Sequence, residues 1–332
     1  MPSQQLNISV IIPSYNQGQF IEETILSLIS QGYPNIEIIV IDGGSTDSTV
    51  KIIEKYQSHF TYWISEKDSG QSEAINKGFQ KATGDIITWL NSDDCYEPGS
   101  LKKVADYFER NPKLSVLHGK SILFGNNTSE KIVGLSSNIS LHEYFPYMRF
   151  PQPSSFIKTS ALREILPVNE HLHYAMDFEL IVKLLLKGNE IERSDAVFSR
   201  YRLHATSKSN DHLSFLKEWS LVVASFFNSV TGGSSYVLEM QDLNLVEKQF
   251  IKSYSAVLTF NHQELEEIWL QHLNICYHYH YRAFHKKEAL LISNYIKKNY
   301  ASFFQSNNFN KYNRRLIFIP KFVFNVFRSI IK

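Results

Sequence analysis

β-Branched residues run from Ile8 to Ile12 and stop at Pro13, a pattern that predicts a short buried strand. Ile21, Ile25, Leu28 and Ile29 then recur at helical spacing within 20–29. A second apolar run, Ile36 to Ile41, is cut off by Asp42-Gly43-Gly44. Thr46 or Asp47 can cap the helix that follows, with Val50, Ile53 and Tyr56 turned inward. Residues 60–64 and 86–90 read as third and fourth strands, the fourth ending at Asn91-Ser92-Asp93-Asp94. Pro98 opens a helix with Leu101, Val104, Ala105 and Phe108 on one face. Strands alternating with helices predict an α/β fold with a mostly parallel sheet covered on both faces, an α/β/α sandwich. In such sheets ligands gather at the carboxyl ends of the strands. Ser14-Tyr15-Asn16, Asp42 and Asp93-Asp94 all fall at those ends.

Beyond Leu114 the pattern shifts to short strands and turns as far as Val133, then to short helices over 141–149 and 161–166. A stronger helix is predicted over 174–187, with Phe178, Ile181, Val182 and Leu185 apolar, and an edge strand over 196–202. After Asn210 the chain reads as mainly helical, which divides it into a domain over 1–210 and a helical region over 211–332. The last stretch, Lys311 to Lys332, carries Lys311, Arg314, Arg315, Lys321, Arg328 and Lys332 and no acid. Phe318, Phe322, Phe324 and Phe327 are interleaved with them, and Pro320 breaks or starts the helix. A helix of that kind suits an anionic membrane surface or an oligomer contact; docking on the catalytic domain through its phenylalanines is the plainer alternative.

Composition narrows the setting. The chain has 332 residues, 43% hydrophobic and 20% charged, which is ordinary for a soluble globular protein of one large domain plus an appendage, or two domains. A net charge of +1 gives no global field for nucleic acid. Cys95 and Cys276 stand far apart in no metal-ligand pattern, as expected in a reducing compartment. Met1 to Asn7 is polar and does not read as a signal peptide, and no apolar run approaches the ~20 residues of a membrane span. The expected location is cytoplasmic, peripheral at the inner face of the membrane if the tail binds there. His278, His280 and His285 look like a cluster, but alternate spacing within a helix points side chains apart, so a polar helix surface is expected.

Transfer of a sugar from a nucleoside diphosphate needs a pocket for base and ribose, a divalent cation to neutralise the departing diphosphate, and a carboxylate to take a proton from the attacking hydroxyl. Asn91-Ser92-Asp93-Asp94, directly after a buried strand, suits Mn²⁺ or Mg²⁺, which favour few carboxylates plus phosphate oxygens; capping of the next helix is the competing role. Pro13-Ser14-Tyr15-Asn16, Ile41 to Asp47, Asp68-Ser69-Gly70-Gln71 with Ala74, Asn76 and Gly78, and Trp89 to Asp94 with Pro98-Gly99 come in order along the chain. Together they resemble the motifs of the family 2 glycosyltransferases, inverting enzymes of the GT-A fold. The resemblance covers residues 6 to 205.

The resemblance implies a role for each matching position. Tyr15 packs against the base, with Pro13, Ser14 and Asn16 shaping that wall, and Asp42 accepts a hydrogen bond from the base edge. Lys67 and Asp68 lie near ribose and diphosphate. Asp93 meets the ribose or the metal, and Asp94 binds the metal. Gln152, Pro153 and Ser154 line the acceptor side. Asp177 aligns with the catalytic base, although Met176 replaces the first acid of the usual pair; Glu179 is the substitute. A helix N-terminus keeps such an aspartate ionised. Arg200 to His204 with Ser207-Lys208 resembles the closing motif, in which His204 meets metal or diphosphate and Arg202 faces phosphate. The implied reaction is inverting, metal-dependent hexosyl transfer from a UDP- or dTDP-linked donor to a glycan or lipid-linked acceptor in cell-surface polysaccharide assembly. Two other readings compete: a binding module that has lost its base, and a nucleotidyltransferase. The latter lacks its basic, glycine-rich loop after the first strand. No Gly-x-Gly-x-x-Gly follows that strand to suggest a dinucleotide oxidoreductase.

Overall fold

In the computed structural model, which describes residues 5–125, 129–208, 211–319 and 321, the first apolar run forms β1 (Ile8–Ser14), buried at every position. There follow α1 (Ile21–Ile29), β2 (Ile36–Asp42), α2 (Thr49–Tyr56), β3 (Tyr62–Ser65), α3 (Gln71–Lys81), β4 (Ile86–Trp89), the two-residue β5 (Cys95–Tyr96) and α4 (Ser100–Arg110). Then come β6 (Leu114–Gly125), β7 (Lys131–Val133), β8 (Ser155–Lys158), α5 (Thr159–Arg163), α6 (Met176–Leu186) and β9 (Glu190–Leu203). They build one nine-stranded sheet in the order β3-β2-β1-β4-β8-β6-β9-β5, with β7 on β6.

The parallel half runs β3-β2-β1-β4. Chain order reverses across β1, since β2 lies on one side of it and β4 on the other, which opens a crevice at their carboxyl ends. One core packs Ile8, Val10 and Ile12 of β1 against Ile21, Ile25 and Leu28 of α1 and Leu101, Val104 and Phe108 of α4. Each such fully buried side chain contributes about 1.5–3 kcal/mol.

Three sequence expectations change. The sheet is mixed: β8 runs antiparallel to β4 and β6, and β5 to β9. The segment 196–202 is no edge strand, because β9 spans Glu190–Leu203 and sits between β6 and β5, paired in parallel with β6. Residues 71–81, read only as a motif, form a full helix whose buried face mixes Ile75 and Phe79 with Ser72, Asn76 and Gly78. That mixture hides the apolar periodicity. A Cβ on Gly78 would stand 2.4 Å from the side chain of Ile11, so the glycine is what lets α3 approach β1.

By internal contacts the described chain forms two compact units: 1–139 with 148–210 and 255–258, and 140–147 with 211–254 and 259–332. The second is helical: α7 (His212–Ser229), α8 (Ser234–Asp242), α9 (His262–Arg282), α10 (Lys286–Asn299), α11 (Ala301–Ser306) and α12 (Phe309–Phe318). Its core is aromatic, with Phe226, Phe227, Trp269, Tyr277 and Phe309 fully buried. In α12, Phe309 and Leu316 are buried while Ile317 and Phe318 are exposed. Pro320, Phe322, Phe324, Phe327, Arg328 and Lys332 of the basic–aromatic tail lie outside the described residues. Among the described residues no helix is long and apolar enough to cross a membrane.

Candidate active site

Register brings Ser14, Asp42 and Ser65 side by side at the carboxyl ends of β1, β2 and β3. Asp42 is fully buried. Its Oδ2 accepts from the Gly44 and Ser45 amides at 3.1 and 2.9 Å and from the Ser65 hydroxyl at 2.6 Å, and its Oδ1 accepts from the Ser45 hydroxyl at 2.5 Å. The carboxylate therefore builds the loop after β2. Asn16, with φ of 52°, stitches the neighbouring loop to it: its N–H donates to Ser45 Oγ at 2.7 Å, and its Oδ1 accepts from the Thr46 amide at 2.9 Å. Tyr15 stands at the apex of that loop, 59% exposed, with Pro13 and Ser14 buried beneath it. Among the described residues the buried hydroxyl of Ser14 has no hydrogen-bond partner. Asp68 packs on Gly43, where a Cβ would come within 2.9 Å of its carboxylate, and burial pushes its acid above the usual carboxylate range. Lys67 is exposed beside it.

The two acids after β4 part company. Asp93 Oδ2 lies 2.9 Å from His204 Nε2, although the residues are 111 positions apart, and the two side chains keep 20% and 8% of their exposure. The ring of His204 is braced by Phe20 at 4.7 Å and by Thr206 Oγ1, 2.9 Å from Nδ1. Asp94 turns inward and is fully buried. Its Oδ1 accepts the Arg202 backbone N–H at 2.8 Å, and Asn91 donates to its Oδ2 at 3.4 Å. Burial, and then the neighbouring Asp93, push its acid well above the usual range. Asp94, expected as a metal ligand, here ties β9 to the loop after β4 through the Arg202 amide, and Asp93 is the acid presented beside a histidine. Arg202, expected to face phosphate, is held by several partners. Its guanidinium donates to Glu23 and to the Asp93 carbonyl and lies 4.9 and 4.3 Å from the ring centres of Phe20 and Phe124.

The acceptor-side triplet also divides. Ser154 is fully buried, its hydroxyl 2.9 Å from Ser121 Oγ and 2.7 Å from Ser199 Oγ, and Pro153 is buried too. Gln152 donates to the Trp89 carbonyl at 2.9 Å, and its buried Oε1 has no hydrogen-bond partner among the described residues. Asp177 sits in the first turn of α6, half-buried, accepting the Phe178 N–H at 2.7 Å. Glu179 is buried and accepts from Asn169 at 3.2 Å, which makes it wall rather than reagent.

A polar relay ties Asn91, at the end of β4, to the segment before α6. Gln71 donates to Asn91 Oδ1 at 2.7 Å, and Lys208 donates to Gln71 Oε1 at 2.9 Å and to the His173 carbonyl at 3.2 Å. Gln71 and Lys208 were visible in the sequence only as motif members; this bridging required the fold. His173 carried no sequence signal.

A cation fits the Asp93–His204 pair. Two ligands at about 2.1 Å in neighbouring positions of an octahedron lie about 3 Å apart, and these two atoms do. One imidazole beside one carboxylate suits Mn²⁺ better than Mg²⁺, which favours an all-oxygen shell.

Residues 9–164 match the family described as Glycosyl transferase family 2. An uncharacterized glycosyltransferase of Haemophilus influenzae is 30% identical over 219 residues, covering 58% of this chain and 87% of that protein. The poly(ribitol-phosphate) beta-N-acetylglucosaminyltransferase TarS of Staphylococcus aureus is 26% identical over 225 residues, 63% of this chain and 37% of TarS. The structure of TarS 1–349 in complex with UDP superposes with a TM-score of 0.56 at 19% identity, covering 98% of this chain and 92% of that one. The mannosyltransferase PcManGT of Pyrobaculum calidifontis, in complex with GDP-Man and Mn²⁺, gives 0.53 at 13% identity over 95% of this chain and 87% of that one. Both likenesses concern the fold.

Proposed function

The chain belongs to the family 2 glycosyltransferases, and from that premise we propose that it moves a hexosyl group, with inversion, from a UDP- or dTDP-linked donor to a hydroxyl acceptor in cell-surface polysaccharide or glycan assembly. The observation that carries this reading is the Asp93–His204 pair at the carboxyl end of β4, beside the Tyr15 loop.

The donor lies along the crevice between the loops after β1 and β4. Tyr15 offers its ring to the base. Asp42 receives the N–H of a uracil or thymine edge once Ser45 turns its hydroxyl aside. Asp68, with Lys67 at the surface, borders ribose and diphosphate. Asp93 and His204 would hold Mn²⁺ or Mg²⁺, which would supply charge neutralisation to the leaving diphosphate. Asp177 takes the proton of the attacking hydroxyl, and the α6 N-terminus keeps it ionised. One base and one in-line attack invert the anomeric centre. Residues 1–210 serve as the catalytic domain, and the helical region 211–332, through its basic 311–332 segment, meets an anionic membrane surface or a second copy. In this reading the enzyme works on the cytoplasmic side, near a lipid-linked acceptor.

The alternative, a donor-binding module without catalysis, draws on Met176 alone. The test is calorimetric titration of UDP and dTDP with and without Mn²⁺, on wild type and Asp93→Ala, followed by donor-sugar hydrolysis on Asp177→Asn. Binding that requires both Mn²⁺ and Asp93, with turnover that requires Asp177, supports the enzyme. Binding that needs neither sinks the assignment, and wild-type binding without any turnover favours the module.

A further inference from the structure

The second unit carries a cluster that the donor site does not use. At the corner between α9 and α10 the chain reverses at Phe284, whose φ of 57° lies in the left-handed region. The His285 N–H then donates to the His280 carbonyl at 2.9 Å, and the two imidazoles face each other with ring centres 5.7 Å apart. Glu288, in the first turn of α10, completes the group: each of the three offers a ligand atom within 4.8 Å of the others. Among the described residues it is the one such trio of histidine, cysteine or acidic side chains. His278, which the sequence grouped with these histidines, is not part of it and stacks instead on Phe309.

A second observation points to a ligand. His280 Nδ1 is buried and makes no hydrogen bond among the described residues. A buried, orphaned ring nitrogen costs about 1–3 kcal/mol unless something supplies its missing partner. Its neighbours are another imidazole and a carboxylate, groups that can share a cation, and in the Nε2–H tautomer Nδ1 carries a lone pair for it.

We propose that His280, His285 and Glu288 bind a divalent transition-metal ion of the zinc type, with water as the fourth ligand, and so fasten α9 to α10. Two nitrogens and one carboxylate match zinc chemistry, whereas Mg²⁺ and Ca²⁺ demand oxygens that this corner does not offer. A tetrahedral ion holds its ligands about 3.4 Å apart, so the trio closes by small side-chain rotations, and the exposed Glu288 has the freedom to make them. The site is independent of the Asp93–His204 pair, and its failure would leave the proposed transferase reading untouched.

The test uses the untagged full chain in a His204→Ala background, which removes the imidazole of the donor site. Chelator-stripped protein is titrated with Co²⁺, read by visible absorption, and with Zn²⁺, read by calorimetry and thermal unfolding. One Co²⁺ per chain with the strong absorption of a tetrahedral ion is expected, together with a Zn²⁺-dependent rise in Tm. Adding His285→Ala or Glu288→Gln, both partly solvent-exposed positions, should weaken the metal by at least tenfold and abolish the Tm rise while circular dichroism stays unchanged. Absence of metal binding in the His204→Ala background, or equal affinity with and without His285→Ala and Glu288→Gln, overturns the proposal.

Discussion

Replacing Asp93 and Asp94 one at a time asks which acid serves the cation. Asp94 is fully buried and takes the Arg202 amide at 2.8 Å. Asp94→Ala strands that N–H, at a cost of about 1–3 kcal/mol. At roughly 2–4 °C per kcal/mol for a unit of this size, Tm falls by roughly 2–12 °C. Asp94→Asn keeps an oxygen for the amide. It also trades a carboxyl already pushed toward its neutral form, by burial and by Asp93, for a neutral group. Its Tm and its Mn²⁺ requirement should therefore stay near wild type. Asp93→Asn reverses the pattern. Asp93 is partly exposed and partnered mainly by His204, so stability barely moves. Changes behind a ligand cost 10–100-fold in metal affinity, and loss of a ligand should cost at least about 100-fold, about 2.7 kcal/mol. The assay is Mn²⁺ dependence of UDP binding by calorimetry, with Tm measured on the same samples. An Asp94→Asn protein with wild-type Tm that needs as much extra Mn²⁺ as Asp93→Asn would refute the division of labour drawn here.

Asp177→Asn should bind UDP as wild type does and lose about 10²–10⁴-fold in kcat; a parallel loss of UDP affinity would move Asp177 into the donor pocket. Gly43→Ala sets a methyl 2.9 Å from the Asp68 carboxylate, a crowding worth about 1–3 kcal/mol, so UDP binding should weaken at least about fivefold; unchanged affinity would separate Asp68 from the donor. Burial lowers His118 to about 3 and His272 to about 4, so both are neutral in the fold, and the unfolded chain alone takes up their protons as pH falls below about 6.5. The stability they allow is complete above that pH and drains at up to about 1.4 kcal/mol per unit per histidine as pH drops toward the folded values. His118→Phe should flatten the fall of Tm between pH 6 and 5, and an unaltered slope would mean that His118 is protonated in the folded protein.

What was legible in the sequence was whatever local order writes. The buried strands β1, β2 and β4 were visible because an all-apolar run has few other uses, and the polar residues that end them marked the crevice because strands in a parallel sheet deliver their ends to one side. What the sequence left open depended on partners far along the chain. Asp93 and Asp94 are neighbours of one type, and no local rule says which turns inward; a backbone amide 108 residues away decides it, and an amide has no side chain to announce it. Ser154 looked available because serine usually is, until the hydroxyls of Ser121 and Ser199 closed round it. The histidines at 280 and 285 were set apart by helical spacing, a valid rule applied across a break that one left-handed residue makes. The residue types at strand ends thus identify a chemistry, while the choice of which member performs it belongs to backbone donors and chain reversals elsewhere. For that reason the pair of variants that splits Asp93 from Asp94 is more informative than removing both acids: only the split measures what the fold adds to the motif.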